Sequence, residues 1–184
     1  MTDLRRATRT VRWAGSGAAV LAASSALVSA YWAAGGTALL PTVGGELARL
    51  GRAGGTAVVL VLAATAAAKA VGAALAIALV HPPRRLPPVL IERVALIGGG
   101  LLAVYGGVLT AVGLVALTGV LGSATDPSAL RWHALFWDPW FLVWGVLLVL
   151  AAVTRHRLRI GRPAADVSPG AERRSGGPAR DRAR

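Results

Sequence analysis

The sequence predicts an all-α, polytopic membrane protein: a four-transmembrane-helix bundle with both termini cytoplasmic. Three observations carry this. Hydrophobic residues fill 55% of 184 positions and Gly supplies 23 more, above the roughly 45–50% apolar-plus-Gly usage of soluble domains. Charge is displaced, because 12 of the 28 charged residues fall in the last 31 positions. Four apolar stretches reach the ~20 residues that a hydrocarbon core of about 30 Å requires at 1.5 Å per helical residue.

In order, residues 1–12 form a basic amino-terminal segment. The first span, 13–34, carries no charge. The second, 56–80, contains only Lys69, and the third, 94–121, is uncharged and long enough to tilt. The fourth, 132–153, is interrupted by Asp138-Pro139. Between spans two and three, His81-Pro82-Pro83-Arg84-Arg85-Leu86-Pro87-Pro88 cannot be regular helix, since each Pro lacks a donor and disfavours helix in the residue before it. Residues 154–184 read as a basic, mostly disordered tail. From Gly161 onward almost no large apolar residue is present to offset the entropy of ordering.

Arg and Lys near span ends are retained on the cytoplasmic side. Sixteen basic residues lie in segments 5–12, 84–93 and 155–184, against Arg49, Arg52 and Arg131 on the opposite side. A signal-peptide reading, with cleavage after Val28-Ser29-Ala30, would leave that orientation unchanged, but the apolar run continues through Ala34 and favours an uncleaved span. The +12 formal charge clusters at span ends, so nucleic acid is not an expected partner. The expected partners are the lipid bilayer, anionic lipid headgroups attracted to the Arg-rich ends, and a second copy or another membrane protein. With no Cys in the chain, disulfides, thiolate metal sites and Cys nucleophiles are excluded.

Lipid tails are as apolar as Leu, so helices in a bilayer are held by close packing rather than by hydrophobicity. Small residues recur every four positions at Ala18, Ala22, Ala26 and Ala30, at Ala64, Ala68, Gly72 and Ala76, and at Gly99, Ala103, Gly107 and Ala111. These read as small-xxx-small contact ridges, although such spacing is common by chance in a chain so rich in Ala and Gly. Gly98-Gly99-Gly100 lies within a span and lacks the Gly-Lys-Ser/Thr of a phosphate loop. Aromatic residues crowd the outer half of span four: Trp132, Phe136, Trp137, Trp140, Phe141 and Trp144. Interfacial anchoring explains most of them, whereas Trp144 lies deeper and calls for a packed pocket or a partner for its indole N–H.

Lys69 falls near the bilayer centre, where insertion costs about 2.5–3.5 kcal/mol, so it reads as paired or functional. Asp138 is the expected partner and Glu46 the second. A transport or proton-relay role and passive snorkelling along the four-carbon stem are the alternatives. Asp138-Pro139 pairs a capping residue with one suited to the first helical position, which predicts a break between an outer piece, 130–137, and a shorter inner helix. Broken membrane helices line protein or water-filled cavities. Arg131, His133, Trp137, Asp138 and Trp140 are therefore expected around an external vestibule. His133 and Asp138 could serve as a base and its orienter, but no Ser or Cys nucleophile has a recognisable context. One His with scattered carboxylates is too few for a metal site, and neither metal nor cofactor is expected.

Two motifs carry a family resemblance. They are Tyr31-Trp32-Ala33-Ala34-Gly35-Gly36, with Thr42 to Glu46 following, and Arg131-Trp132-His133 through Trp137-Asp138-Pro139-Trp140-Phe141 to Trp144-Gly145. In these the sequence resembles the small four-pass bacterial membrane proteins, common in actinobacteria, that are classed as a domain of unknown function. The resemblance covers roughly residues 14 to 153. It implies a four-pass fold in the plasma membrane and no assigned activity. The chain is thus expected to be a non-enzymatic membrane component or interaction protein. A small transporter or channel-accessory subunit using Lys69 and the vestibule is the alternative, and a lipid-modifying enzyme centred on His133 comes third.

Overall fold

The computed structural model describes residues 2–161, and the expected disordered tail from 162 on lies outside the described residues. All regular structure among the described residues is helical: α1 (Thr2–Ala33), α2 (Leu40–Val43), α3 (Gly45–Ala53), α4 (Thr56–Val80), α5 (Pro88–Leu117), α6 (Pro127–Trp132), a π-helical turn (His133–Trp137) and α7 (Asp138–Ile160). Four helical units are long and apolar enough to cross a membrane: α1, α4, α5 and the continuous run from α6 through α7.

Helix ends follow local chemistry. Helix α1 stops in a Schellman motif, in which the Gly36 amide donates to the Tyr31 carbonyl and the Gly35 amide to Trp32. Gly35 takes the left-handed conformation this motif needs, at φ 90°. Helix α4 ends before Pro82-Pro83, and α5 opens on Pro88, whose missing N–H is no loss in a first turn. Asp126 caps α6 by accepting from the Ala129 amide at 3.0 Å, with Pro127 at the first helical position.

The expected break at Asp138-Pro139 does not occur. Instead the helix widens just before it, where the Asp138 amide donates to His133, five residues back. A Pro inside an α-helix clashes with the carbonyl four residues earlier and removes a donor; one π turn shifts the ladder and lets the chain continue. The capping chemistry expected at the second Asp-Pro pair operates at the first.

The long helices run alternately up and down. They pack as two antiparallel pairs, α1 with α4 and α5 with α7, joined through α1 and α7, while α4 and α5 barely touch. The end that carries Thr2, the α4–α5 turn and Ile160 is basic, and the opposite end, capped by α2, α3 and α6, is aromatic.

The contact ridges differ from the expected ones. Helix α1 buries Ala14, Ala18, Ala22, Ser25, Ser29 and Trp32, leaving Ala30 exposed. Helix α5 buries Gly99, Gly106 and Gly113, leaving Ala111 exposed, and on α4 Ala64 and Ala68 are exposed while Ala76 is buried. The reason is geometric, because four residues overshoot a full turn by about 40° at 3.6 residues per turn. Strict four-residue spacing drifts off a face that alternating steps of three and four hold.

Helices α5 and α7 approach to backbone contact. A Cβ at Gly106 would overlap the backbone at Leu142, and one at Gly145 would overlap the backbone of Ala103, whereas Gly98 and Gly100 face open space. Gly106→Ala and Gly145→Ala should therefore each destabilise the protein by about 1–3 kcal/mol through overpacking. Gly98→Ala and Gly100→Ala should be neutral or stabilising by up to about 1 kcal/mol through helix propensity. Unfolding of the purified variants in one nanodisc preparation distinguishes the two classes, and equal losses in all four would contradict the packing.

Candidate functional site

Polar side chains gather at three levels. At mid-bundle, Lys69 lies on the face of α4 that turns inward, between buried Leu62 and Ala76. Its Nζ donates to Ser29 Oγ at 2.9 Å and stands 5.6 Å from the centre of the Phe141 ring. Gly15 packs on Ala76 and Val80, and equal rise along two antiparallel helices then places Lys69 level with about Ser25. The ammonium thus reaches roughly one turn toward the aromatic end, as a snorkelling stem allows, and finds a hydroxyl and a ring face.

Asp138 is not the partner of Lys69, contrary to the sequence expectation. Lys69 meets α7 at Phe141, three residues deeper than Asp138, and its neighbour Gly72 packs on Trp144. Asp138 is 5% exposed and faces outward along the bundle to His133, whose Nδ1 lies 3.2 Å from Asp138 Oδ1. The other ring nitrogen, Nε2, lies 3.1 Å from the Val43 carbonyl. A carbonyl can only accept, so the hydrogen bond to Val43 is donated by Nε2.

Of the remaining members of the expected vestibule, Trp137 also pins the first connection to the fourth span. Trp137 Nε1 donates to Thr42 Oγ1 at 3.1 Å, and Trp32 meets the Trp137 ring edge-on at 6.1 Å while its own N–H donates to the Ala38 carbonyl. Trp140 reaches inward instead, donating to the Leu21 carbonyl of α1 at 3.2 Å. Arg131 is exposed on α6. Glu46 lies on α3, and its side chain is outside the described residues. His133, Asp138, Trp137 and Trp32 are thus brought together as a clamp, with Lys69 and Trp140 deeper. Trp144 is buried at 5% exposure, stacked obliquely on Phe141, and its indole N–H has no hydrogen-bond partner among the described residues.

Sequence reasoning missed the third level, at the basic end. Glu92, 3% exposed, accepts from Arg159 Nε at 3.1–3.2 Å, lies 2.9 Å from His156 Nδ1, and has Arg155 Nε at 4.0 Å. Arg155 also donates to the Leu79 carbonyl at 2.5 Å, satisfying one of the last acceptors of α4. These contacts make residues 154–160, expected in the tail, part of α7. The available signal was the phase of Glu92, three residues before Ala95 and seven before Gly99 on the buried stripe of α5. Among the described residues no three His, Asp or Glu side chains come together as a metal site.

Four long apolar helices, packed through glycine and clipped by a few inward polar groups, define a multi-pass membrane protein. Residues 21–148 match a family described as protein of unknown function (DUF3995), and the chain belongs to that family. No curated protein and no solved structure matches it.

Lys69→Met and Asp138→Asn should be additive to within about 0.5 kcal/mol, whereas His133→Ala and Asp138→Asn should couple by about 0.5–3 kcal/mol. Nanodisc unfolding of both mutant cycles checks this, and strong coupling in the Lys69 cycle would refute the placement. Glu92→Gln should cost about 1–3 kcal/mol, because it removes charge-assisted hydrogen bonds but leaves only partly exposed partners behind, read as a fall in Tm.

Proposed function

We propose that this protein is a non-enzymatic component of the plasma membrane, with its basic end in the cytoplasm, and that it associates with a second copy of itself through α1 and α4. The observation that carries this reading is a groove of about 590 Å3 on the outer side of that pair, walled almost wholly by small residues, among them Ala23, Ala26, Ala30, Ala66, Ala70 and Ala74. Such a surface admits a helix at close backbone distance, the main source of helix affinity in lipid. A two-fold axis along the groove would bring like helices together in a self-complementary contact. The orientation rests on the sequence, which carries sixteen basic residues in segments 5–12, 84–93 and 155–184 against three in the other two connections.

A non-catalytic role is supported by the state of His133, the residue an enzymatic reading would need. Both of its ring nitrogens are engaged, one by Asp138 and one by the Val43 carbonyl. The transporter reading retains one favourable observation, the Trp144 indole within the Lys69–Phe141 layer, which has no hydrogen-bond partner among the described residues. It requires a Lys69-dependent flux of protons or small ions into reconstituted vesicles.

Single-molecule photobleaching of labelled protein in dilute liposomes tests the association. Wild type should bleach in two steps, and Ala26→Leu with Ala70→Leu, which fills the groove from both walls, should bleach in one. Single-step bleaching of wild type at every protein-to-lipid ratio would overturn the proposal.

A further inference from the structure

At the basic end, α1, the α4–α5 turn, the start of α5 and the end of α7 enclose a cavity of about 430 Å3, within the range of about 300–1,000 Å3 usual for small-ligand sites. Its polar lining is Thr8, Arg12, His81, Glu92, Arg155 and Arg159. Three guanidinium groups therefore surround one carboxylate.

Charge accounting gives the ligand class. Glu92 engages Arg159 directly and stands 4.0 Å from Arg155, so at most one of the three positive charges is neutralised by it. Arg155 has a further donor on the Leu79 carbonyl, which fixes the group without adding negative charge. Arg12 has no carboxylate within 4 Å among the described residues. Two positive charges remain uncompensated at the cavity, one on the half-buried Arg155 and one on the exposed Arg12. Guanidinium forks match phosphate oxygens in geometry as well as charge.

We propose that this cavity binds a phosphate-bearing anion, with Arg12 as the principal free ligand and Arg155 and Arg159 held in place by Leu79 and Glu92. Depth favours the same chemistry. Trp13, beside Arg12, exposes its ring on the bundle surface, and Trp at a span end marks the headgroup layer. A basic pocket between helices at that level suits lipid phosphate, and a free phosphate would present the same oxygens. The site is distinct from the α1–α4 groove and does not depend on self-association.

Titration of the full-length protein in uncharged detergent tests this, with short-chain phosphatidylglycerol, inorganic phosphate and short-chain phosphatidylcholine as separate probes and thermophoresis as the readout. Saturable one-site binding of phosphatidylglycerol with none of phosphatidylcholine is expected, and Arg12→Gln should weaken it about ten-fold, the equivalent of one charge-assisted hydrogen bond. Arg6→Gln removes the same charge from α1 outside the cavity and should change the Kd less than about two-fold. Competition by inorganic phosphate would assign the site to free phosphate as well, and its failure to compete would assign it to lipid headgroups. Non-saturable binding, absence of binding, or equal losses in Arg6→Gln and Arg12→Gln would overturn the proposal. Arg12 is exposed, so its variant should retain wild-type helicity by circular dichroism.

Discussion

The contact on which the rest of this bundle depends is the backbone approach of α5 to α7. In lipid no hydrophobic force draws apolar helices together, so the attraction must come from atoms in close contact. Gly99, Gly106 and Gly113 repeat at seven residues on α5 and face, in turn, Gly145, the Asp138–Leu142 backbone and Ala134 on the partner helix. One of these contacts, Gly113 on Ala134, lies within the π turn, and the next, Gly106 on Asp138–Leu142, follows it directly. The wider turn is thus held against a surface that has no side chains to spare, and its position fixes where His133, Trp137 and Asp138 point.

From that position the aromatic end is assembled. Because Trp137 and His133 project from a π turn, their polar atoms meet Thr42 and the Val43 carbonyl rather than solvent. The short α2 helix would otherwise have little to hold it. Leu40, 1% exposed, packs in one cluster with Trp32 and Leu62 beneath this clamp. Each polar group in the cluster is answered by another, as a low-dielectric surrounding requires.

Much of the fold was legible in the sequence because its signals are local. Apolar length marks a span, and the Pro-rich turn separates α4 from α5. The site was less legible because its contacts depend on the relative height of helices distant in sequence. Lys69 and Asp138 look like partners by charge, yet the Gly15–Ala76 contact sets Lys69 nearer Phe141 and Trp144. Glu92 looks like an ordinary interfacial acid beside Arg93. Its phase with Ala95 and Gly99 hints at an inward face, but its partners His156 and Arg159 on α7 emerge only from the fold. The two Asp-Pro pairs make the same point, since identical dipeptides begin a helix at Asp126 and interrupt a ladder at Asp138, according to whether helix already precedes them.

Helix α7 explains the uneven distribution of aromatic residues. Like α1, it packs closely on one helix of each pair, here α1 and α5, and it also faces the gap left because α4 and α5 barely touch. Small residues cannot fill such a gap. Phe141 and Trp144 do, one beneath the Lys69 ammonium and the other against Gly72, while Trp140 ties the helix to α1 through the Leu21 carbonyl. Trp132 and Phe136, one to two turns nearer the aromatic end, are exposed and fit interfacial anchoring. One aromatic run thus serves two purposes, and the division falls at the π turn, where the helix passes from the bundle's rim into its interior.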